Sequence, residues 1–188
     1  LASRMRYDLG FHRPRARFVV AAVLIGVSAW YLGLQLVVAL QPPINEHGLP
    51  GIVESGGLVP RLLGLALWPA LAEELVFRGA LARGLASRTT WWIGVLGSMI
   101  VFAAYHAVLA QMLGVLPLAL ALGMLAVRSG SVWPGMLAHL INNVIAILLS
   151  RNALPEVARW IDARPDIMVG VAAVGFVGGL ALSAKEAA

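Results

Sequence analysis

The stretch LVPRLLGLALWPALAEELVFRGALARGL, residues 58–85, is apolar enough to cross a membrane, yet it carries Glu73, Glu74 and Arg78. A bilayer core takes about 20 apolar residues of helix to cross. Each ionised Glu or Arg near a helix centre costs about 2.5 to 3.5 kcal/mol on insertion scales. Three such groups facing lipid would cost about 8 to 10 kcal/mol, comparable to the stability of a whole domain. They must therefore face one another, or a wet cavity, inside a bundle.

The whole chain has the composition of a membrane protein. Of its 188 residues 60% are hydrophobic and 12% charged, and its mean hydropathy is +0.86; soluble domains carry about 25% charged residues. These values exclude a soluble globular domain, a disordered chain and a nucleic-acid-binding domain. The absence of cysteine excludes disulfides and a cysteine nucleophile. We expect one integral membrane domain over residues 1–188 with the lipid bilayer as its solvent. The oligomeric state stays open, and because the first residue is Leu1, so does a preceding domain.

Six apolar segments predict an all-α fold, a polytopic bundle of about six transmembrane helices with a buried polar cluster. They are residues 18–40, 58–85, 91–110, 112–127, 132–150 and 167–183. The third and fourth are divided only by the region of Gln111. Between the fifth and sixth, apolar residues recur at helical spacing among charged ones, which indicates a short helix at the membrane surface; these residues are Leu154, Val157, Trp160 and Ile161.

The arginines indicate an orientation. An even number of crossings places both termini on one side, and the N-terminal segment 1–17 is strongly basic. Positive charge favours the cytoplasmic side. With a cytoplasmic N-terminus, the arginines flanking later segments fall on the same side, namely Arg83, Arg88 and Arg128. The loop 41–57 carries only Glu46 and Glu54 and suits the opposite side. The pattern fits a bacterial cytoplasmic membrane, and equally a eukaryotic organelle.

Helical geometry separates the charges of the second segment. Glu74 and Arg78 are four residues apart, so they share a face and can pair. Glu73 lies about 100° away around the helix and is free to face a different neighbour.

Two other segments each carry a histidine. His139 and Asn143 share a helix face, whereas Asn142 is expected to point elsewhere. His106 shares the face of Phe102. Three helices can thus bring one carboxylate, two imidazoles and a carboxamide to a common point.

That set of groups resembles what peptide-bond hydrolysis requires. A carboxylate in a low-dielectric pocket can accept a proton from water. An imidazole can assist that base or hold a metal. A second imidazole and an amide N–H can stabilise the oxyanion of the tetrahedral intermediate. The alternative is a structural polar network that sets the helix register, but a Glu-Glu-Arg cluster with two separate histidines favours a functional site.

Three motifs in order extend this interpretation. Residues 73–78 fit EExxxR, residues 102–106 fit FxxxH and residues 139–143 fit HxxxN, each within an apolar segment. Together with the stretch 130–134 (GSVWP), they resemble the CAAX protease and bacteriocin-processing family of intramembrane endopeptidases. The resemblance covers about residues 58–150. It implies hydrolysis of a peptide bond in a membrane-associated or lipidated protein or peptide, without selecting a substrate.

The resemblance also implies roles for the motif residues. Glu73 would be the base that activates water, supported by Glu74 and Arg78. His106 would act beside Glu73 or ligate a metal, and His139 would line the oxyanion side with Asn143. Zn²⁺ or another divalent metal, held by Glu73, His106 and His139, stays an alternative to a water activated by glutamate alone. A closed zinc site is disfavoured because the chain has no HExxH.

Two other functions are possible. One is a catalytically inactive membrane partner, such as an immunity or transporter-associated subunit, in which the polar cluster is structural. The other is a small transporter with a proton relay. The transporter is disfavoured because the first, fourth and sixth segments carry no Asp, Glu, Lys, Arg or His.

Depth along the helices gives one further expectation. From their cytoplasmic ends at about 1.5 Å per residue, His139 lies about 12 Å deep, Glu73 about 15 to 18 Å and His106 about 22 Å. These groups can meet if the third helix begins outside the hydrocarbon core, where Trp91 and Trp92 suit the interface. We expect the site to open toward the cytoplasmic half.

Overall fold

A computed structural model describes residues 9–41 and 57–184, and the secondary structure of these residues is helical throughout. Eight helices follow one another in these ranges. They are α1 (Ala16–Leu40), α2 (residues 58–88), α3 (Trp91–Tyr105), α4 (Leu109–Gly114), α5 (Leu116–Ser129), α6 (Trp133–Ser150), α7 (Pro155–Asp162) and α8 (Pro165–Ala184). The predicted all-α membrane bundle is confirmed, and helix occupies all six apolar segments.

The helices differ in length. Three of them, α1, α6 and α8, are long and apolar enough to cross a membrane, whereas α3 and α5 are shorter apolar helices. The predicted third segment ended at residue 110, but α3 ends at Tyr105. Ala107 has a φ of +58°, in the left-handed region that an α-helix of L-residues does not enter. This turn ends α3 beside His106, and the chain then forms the separate helix α4.

Helix α2 alternates between α-helical and wider π-helical turns. Its parts are Leu58–Arg61 (α), Leu62–Leu67 (π), Trp68–Glu73 (α), Glu74–Ala82 (π) and Arg83–Arg88 (α). Pro69 explains the first wide turn, because proline has no N–H and its ring collides with the carbonyl group four residues earlier. That carbonyl belongs to Leu65, inside the π-helical turn. The backbone of α2 is therefore irregular along the stretch that ends at Glu73.

Small residues let the helices approach closely. The main core joins α1, α5, α6 and α8 around Ile25, Leu122, Leu125 and Phe176. Gly175 and Gly179 of α8 pack against Ser28 and Ile25 of α1. This glycine pair therefore serves the packing of two helices of the same chain.

The segment before α1 is attached to the N-terminal end of α6. The backbone N–H of Val132 donates to the carbonyl of Gly10 at 3.0 Å, and the hydroxyl of Ser131 donates to the carbonyl of His12 at 2.7 Å. Burial, and then the nearby charge of Arg83, lower the pKa of His12, so its imidazole is neutral at pH 7. The rest of the basic segment, residues 1–8, lies outside the described residues, as does the loop with Glu46 and Glu54.

The amphipathic stretch after α6 forms the helix α7, as predicted. Its residue Ile161 is buried against Tyr31 and Ala172, while Val157 and Trp160 are exposed. This division is typical of a helix at an interface.

Replacing Gly94 by alanine should destabilise the contact between α3 and α2. A Cβ at Gly94 would lie 2.4 Å from the carbonyl oxygen of Ala82, and backbone cannot move aside cheaply. We expect a loss of about 1–3 kcal/mol, measured as a lower thermal midpoint in detergent. Gly170→Ala in α8 is the matched control, because a Cβ there meets nothing within 4 Å. An equal effect of the two substitutions would contradict this packing.

Candidate active site

The centre of the site is a buried group of charged side chains between α2 and α6. Glu74 and Arg78 are both fully buried, and Arg78 Nη1 donates to Glu74 Oε1 at 2.9 Å. The predicted pairing within the second segment is confirmed. His139 Nδ1 lies 3.0 Å from the same Oε1 of Glu74. One carboxylate oxygen therefore binds a guanidinium and an imidazole from two different helices.

Arg78 has further partners that hold it in place. Its Nη2 donates to the carbonyl of Ala119 in α5 at 3.4 Å, and its guanidinium carbon lies 4.1 Å from the centre of the Phe102 ring. A cation over an aromatic face is attracted by the ring quadrupole. Arg78 thus connects α2 to α3 and α5, a bridging role that the motif alone did not indicate.

Glycine at position 135 makes room for Glu74. A Cβ there would lie 2.6 Å from Glu74 Oε2, closer than any ordinary contact. Gly135 belongs to the first turn of α6, one turn before His139. The close approach of α6 to α2 therefore depends on this residue.

The hydrogen bonds define how both histidines are protonated. A carboxylate and a backbone carbonyl can only accept, so His139 donates from Nδ1 to Glu74, and His106 donates from Nδ1 to the carbonyl of Phe102 at 3.0 Å. The Nε2 atom of each ring is then left to exchange protons with other groups. His139 Nε2 lies 3.9 Å from Glu73 Oε2.

A cavity of about 960 Å³ adjoins these side chains. Glu73, His106, His139 and Asn143 all line it, as the helical geometry predicted. Glu74 and Arg78 lie behind this layer and do not line it. Its other lining residues include Trp30, Val37, Leu65, Pro69, Phe102, Gln111, Asn142 and Ser150.

The prediction that Asn142 points elsewhere is wrong. Asn142 lines the cavity, and its Nδ2 donates to Asn143 Oδ1 at 3.1 Å. It lies three residues after His139, and residues three or four apart share a helix face. In the sequence, the three-residue spacing between His139 and Asn142 indicates this shared face, whereas a comparison of Asn142 with its neighbour Asn143 does not.

Asn143 is held by the irregular part of α2. Its Nδ2 donates to the carbonyl of Leu65 at 3.2 Å. In a regular helix that carbonyl would accept from the residue four positions later, which is Pro69 and has no N–H. Proline 69 therefore leaves an acceptor free, and Asn143 of α6 occupies it.

The cavity extends away from the arginine-rich end of the bundle. Along α6 its lining continues from His139 to Ser150, and along α1 it follows the C-terminal half, from Trp30 to Val37. These are the helix ends opposite to Arg17 and Arg128. The predicted opening toward the cytoplasmic half stays a prediction, although the lining lies on the half of the bundle away from these arginines. Depth along a helix does not show at which end neighbouring helices diverge.

The proposed metal ligands do not form a metal site in the described residues. No group of three His, Asp or Glu side chains there is close enough to share an ion. Glu73 and His139 face each other, and His106 donates Nδ1–H to its own helix, which leaves its Nε2 free. The ligand set expected from the sequence, with Glu73, His106 and His139, therefore stays a prediction.

All three motifs contribute side chains to this buried cluster and the cavity beside it, within an apolar helical bundle. Residues 55–145 match the family described as Rce1-like, type II CAAX prenyl endopeptidase Rce1-like. This segment, which carries all three motifs, is similar to the CAAX protease family. No curated protein sequence and no solved structure matches the chain.

A double-mutant cycle between Asn143 and Pro69 should reveal the bridge between α6 and α2. Pro69→Ala restores an N–H that can bond to the carbonyl of Leu65. We expect Asn143→Ala to cost about 1–2 kcal/mol of stability in the wild-type chain, and clearly less with Ala at position 69. Thermal unfolding of the four proteins measures the coupling. Additive effects would show that the Asn143–Leu65 hydrogen bond contributes nothing.

Proposed function

We propose that this chain is an intramembrane endopeptidase in which Glu73 activates the water that attacks a peptide bond. The substrate would be a membrane-associated or lipidated protein or peptide. One observation carries the proposal: Glu73, His106 and His139 line the same cavity, and Glu73 Oε2 lies 3.9 Å from His139 Nε2. The match of residues 55–145 to the Rce1-like family supports the general activity.

The balance of charge supports a protonated His139 in the resting site. Glu73 and Glu74 carry two negative charges, and Arg78 supplies one positive charge. An imidazolium at His139, within 3.0 Å of Glu74 and 3.9 Å of Glu73, would make the cluster neutral. Neutral, hydrogen-bonded clusters are the arrangement that a low-dielectric interior tolerates.

Glu73 is placed to act as the base. Unlike Glu74, it has no hydrogen-bonded arginine among the described residues, and its side chain is partly open to the cavity, with 19% exposure. A water molecule between Glu73 and His106 could donate one hydrogen to the carboxylate and the other to Nε2 of the imidazole. Its lone pair would then point toward the substrate carbonyl carbon.

His139 and Asn143 would stabilise the tetrahedral intermediate. As the C–O bond forms, the carbonyl oxygen becomes an oxyanion that can accept from Nε2–H of His139 and from the second N–H of Asn143. The first N–H of Asn143 bonds to Leu65, which fixes the direction of the second. The proton taken by Glu73 then passes to the amide nitrogen, and the C–N bond breaks to give a carboxylic acid and an amine. The acid then transfers its proton to the amine, so the products are a carboxylate and an ammonium group.

Glu74 and Arg78 are positioning residues in this mechanism. Glu74 holds Nδ1 of His139, so that Nε2 is presented to the cavity. Arg78 balances the charge of Glu74 and fixes its carboxylate. Neither residue touches the cavity.

Cleavage of a membrane-peptide library by the purified protein tests the proposal. Glu73→Gln should lower turnover by at least about 100-fold, because the amide cannot accept the proton, and His106→Ala should lower it by a similar factor. Both side chains are only partly buried, so the thermal midpoint should change little. We expect protein treated with a chelator to have the same metal content and the same turnover as untreated protein.

Three results would contradict the mechanism. Undiminished turnover in both variants would exclude the roles of Glu73 and His106. Loss of turnover on chelation and its recovery with Zn²⁺ would contradict the metal-free mechanism and support a metal-dependent one. Folded wild-type protein that cleaves no member of the library would favour the inactive membrane partner.

We further propose that the arginine-rich end lies in the cytoplasm, so that the cavity opens toward the opposite side of the membrane. The native chain has no cysteine, so single cysteines report orientation directly. Ser87→Cys, near the end of α2, should react with a membrane-impermeant maleimide only after the membrane is opened. Ser150→Cys, at the far end of α6, should react in intact cells. If Ser87→Cys reacts in intact cells and Ser150→Cys reacts only after the membrane is opened, the orientation is the reverse of the proposed one.

A further inference from the structure

The backbone at Ala107 has a conformation that alanine does not favour. Its φ is +58°, and the N–H of Val108 donates to the carbonyl of His106 at 2.6 Å, so the three residues form a γ-turn with positive φ. Such turns are rare and strained, because a Cβ makes the left-handed region costly. Backbone strain of this kind persists where the surrounding structure imposes it, and it is concentrated at functional sites.

The turn changes the hydrogen bonds at the end of α3. In a regular helix the N–H of His106 would donate to the carbonyl of Phe102, four residues earlier. Here it donates to the carbonyl of Ala103, three residues earlier, at 3.1 Å. The ψ of His106 is −13°, well away from the helical value of about −42°. The last turn of α3 is therefore tightened, and the carbonyl of Phe102 loses the N–H that a regular helix would give it.

The imidazole of His106 takes the place of this N–H. Its Nδ1 donates to the carbonyl of Phe102 at 3.0 Å. The partner of one ring nitrogen decides which nitrogen of a neutral imidazole carries the hydrogen. With the hydrogen on Nδ1, the Nε2 atom keeps a lone pair and can accept a hydrogen bond. The tight turn and the form of the imidazole are therefore linked through one carbonyl group.

Aromatic contacts are the competing cause of this ring orientation. The imidazole lies edge-to-face against the ring of Phe102, at 4.9 Å between centroids, and against the ring of Tyr105, at 6.0 Å. These contacts constrain the plane of the imidazole, but they do not select the nitrogen that carries the hydrogen. A substitution at Ala107 leaves both aromatic rings in place, so experiment can separate the two causes.

We propose that Ala107 is a positioning residue for His106, because its left-handed turn fixes the imidazole as the tautomer with Nδ1–H and an accepting Nε2. The proposal rests on the proposed function, in which a water molecule between Glu73 and His106 donates a hydrogen to that Nε2. The opposite tautomer presents an N–H at the same place and cannot accept from water. The turn thus selects the form of the ring that can act on water.

Nitrogen NMR of the imidazoles measures the tautomer directly. The chain has four histidines, so protein labelled with ¹⁵N-histidine in detergent gives few signals, and those lost in His106→Gln belong to His106. In the wild-type chain, at a pH where the ring is neutral, we expect a protonated Nδ1 and an unprotonated Nε2. A neutral ring with the hydrogen on Nε2 would overturn the proposal.

Variants of Ala107 test whether the turn is the cause. Valine is β-branched and resists positive φ, whereas glycine accepts it readily. Ala107→Val should therefore produce the Nε2–H tautomer of His106, and Ala107→Gly should keep the wild-type signals. Ala107→Leu is a milder form of the same test and replaces Ala107→Val if that variant does not fold.

Ala104→Val is the matched control for the valine variant. Ala104 and Ala107 are both exposed, so the two added methyl groups have room at either position, but Ala104 lies in the regular part of α3. We expect unchanged His106 signals in Ala104→Val. Wild-type signals in Ala107→Val, or an equal change in both valine variants, would show that the turn does not select the tautomer and would overturn the proposal.

Turnover of peptides that the wild-type chain cleaves gives a second readout. Ala107→Val should lower kcat by at least about tenfold and leave KM within about twofold, because the peptide binds as before while the water is misplaced. Ala107→Gly should keep at least about half of the wild-type kcat. A raised KM with unchanged kcat in Ala107→Val would overturn the proposal. The NMR readout needs no cleavage, so failure of the proposed catalysis is visible separately.

Discussion

The hydrogen-bonded contact of Glu74 with Arg78 and His139 is the constraint on which the rest of the bundle depends. Lipid offers no water to an unpaired charge, so the three groups are stable only when α2 and α6 are in contact. Close contact requires glycine at position 135, which leaves space for the carboxylate. The same contact orients the imidazole of His139 toward the cavity. Stability of the helix pair and orientation of a reactive side chain thus have one cause.

This arrangement separates two carboxylates that are adjacent in the sequence. Glu74 faces the protein interior and pairs with Arg78, whereas Glu73 faces the cavity and pairs with no arginine in residues 9–41 and 57–184. One step of about 100° around a helix is enough to give neighbouring glutamates different surroundings. A helix therefore serves as the simplest way to place a supporting charge and a reactive one side by side.

Much of the fold could be predicted from the sequence, because apolar length and charge position are local properties. The six segments and the pairing of Glu74 with Arg78 follow from helical geometry alone. The contact of Glu74 with His139 does not, because it depends on the packing between helices, which Gly135 permits. Helix α3 ends before the predicted boundary because Ala107 adopts a left-handed conformation. An alanine in the sequence does not predict that conformation. The direction of the cavity depends on where helices diverge, which no single segment encodes.

The wide turn of α2 has a consequence for how the length of this helix can vary. A π-helical turn holds more residues than an α-helical one, so loss of one residue within Leu62–Leu67 could be absorbed as a regular helix with little change in hydropathy. Glu73 would then keep nearly the same direction relative to the start of α2, because a π-helical turn differs from an α-helical one by about one residue. Loss of one residue from an α-helical part of α2 would instead rotate Glu73 by about 100°, and its carboxylate would leave the cavity. The register of α2, rather than its hydrophobicity, is what an insertion or deletion would damage.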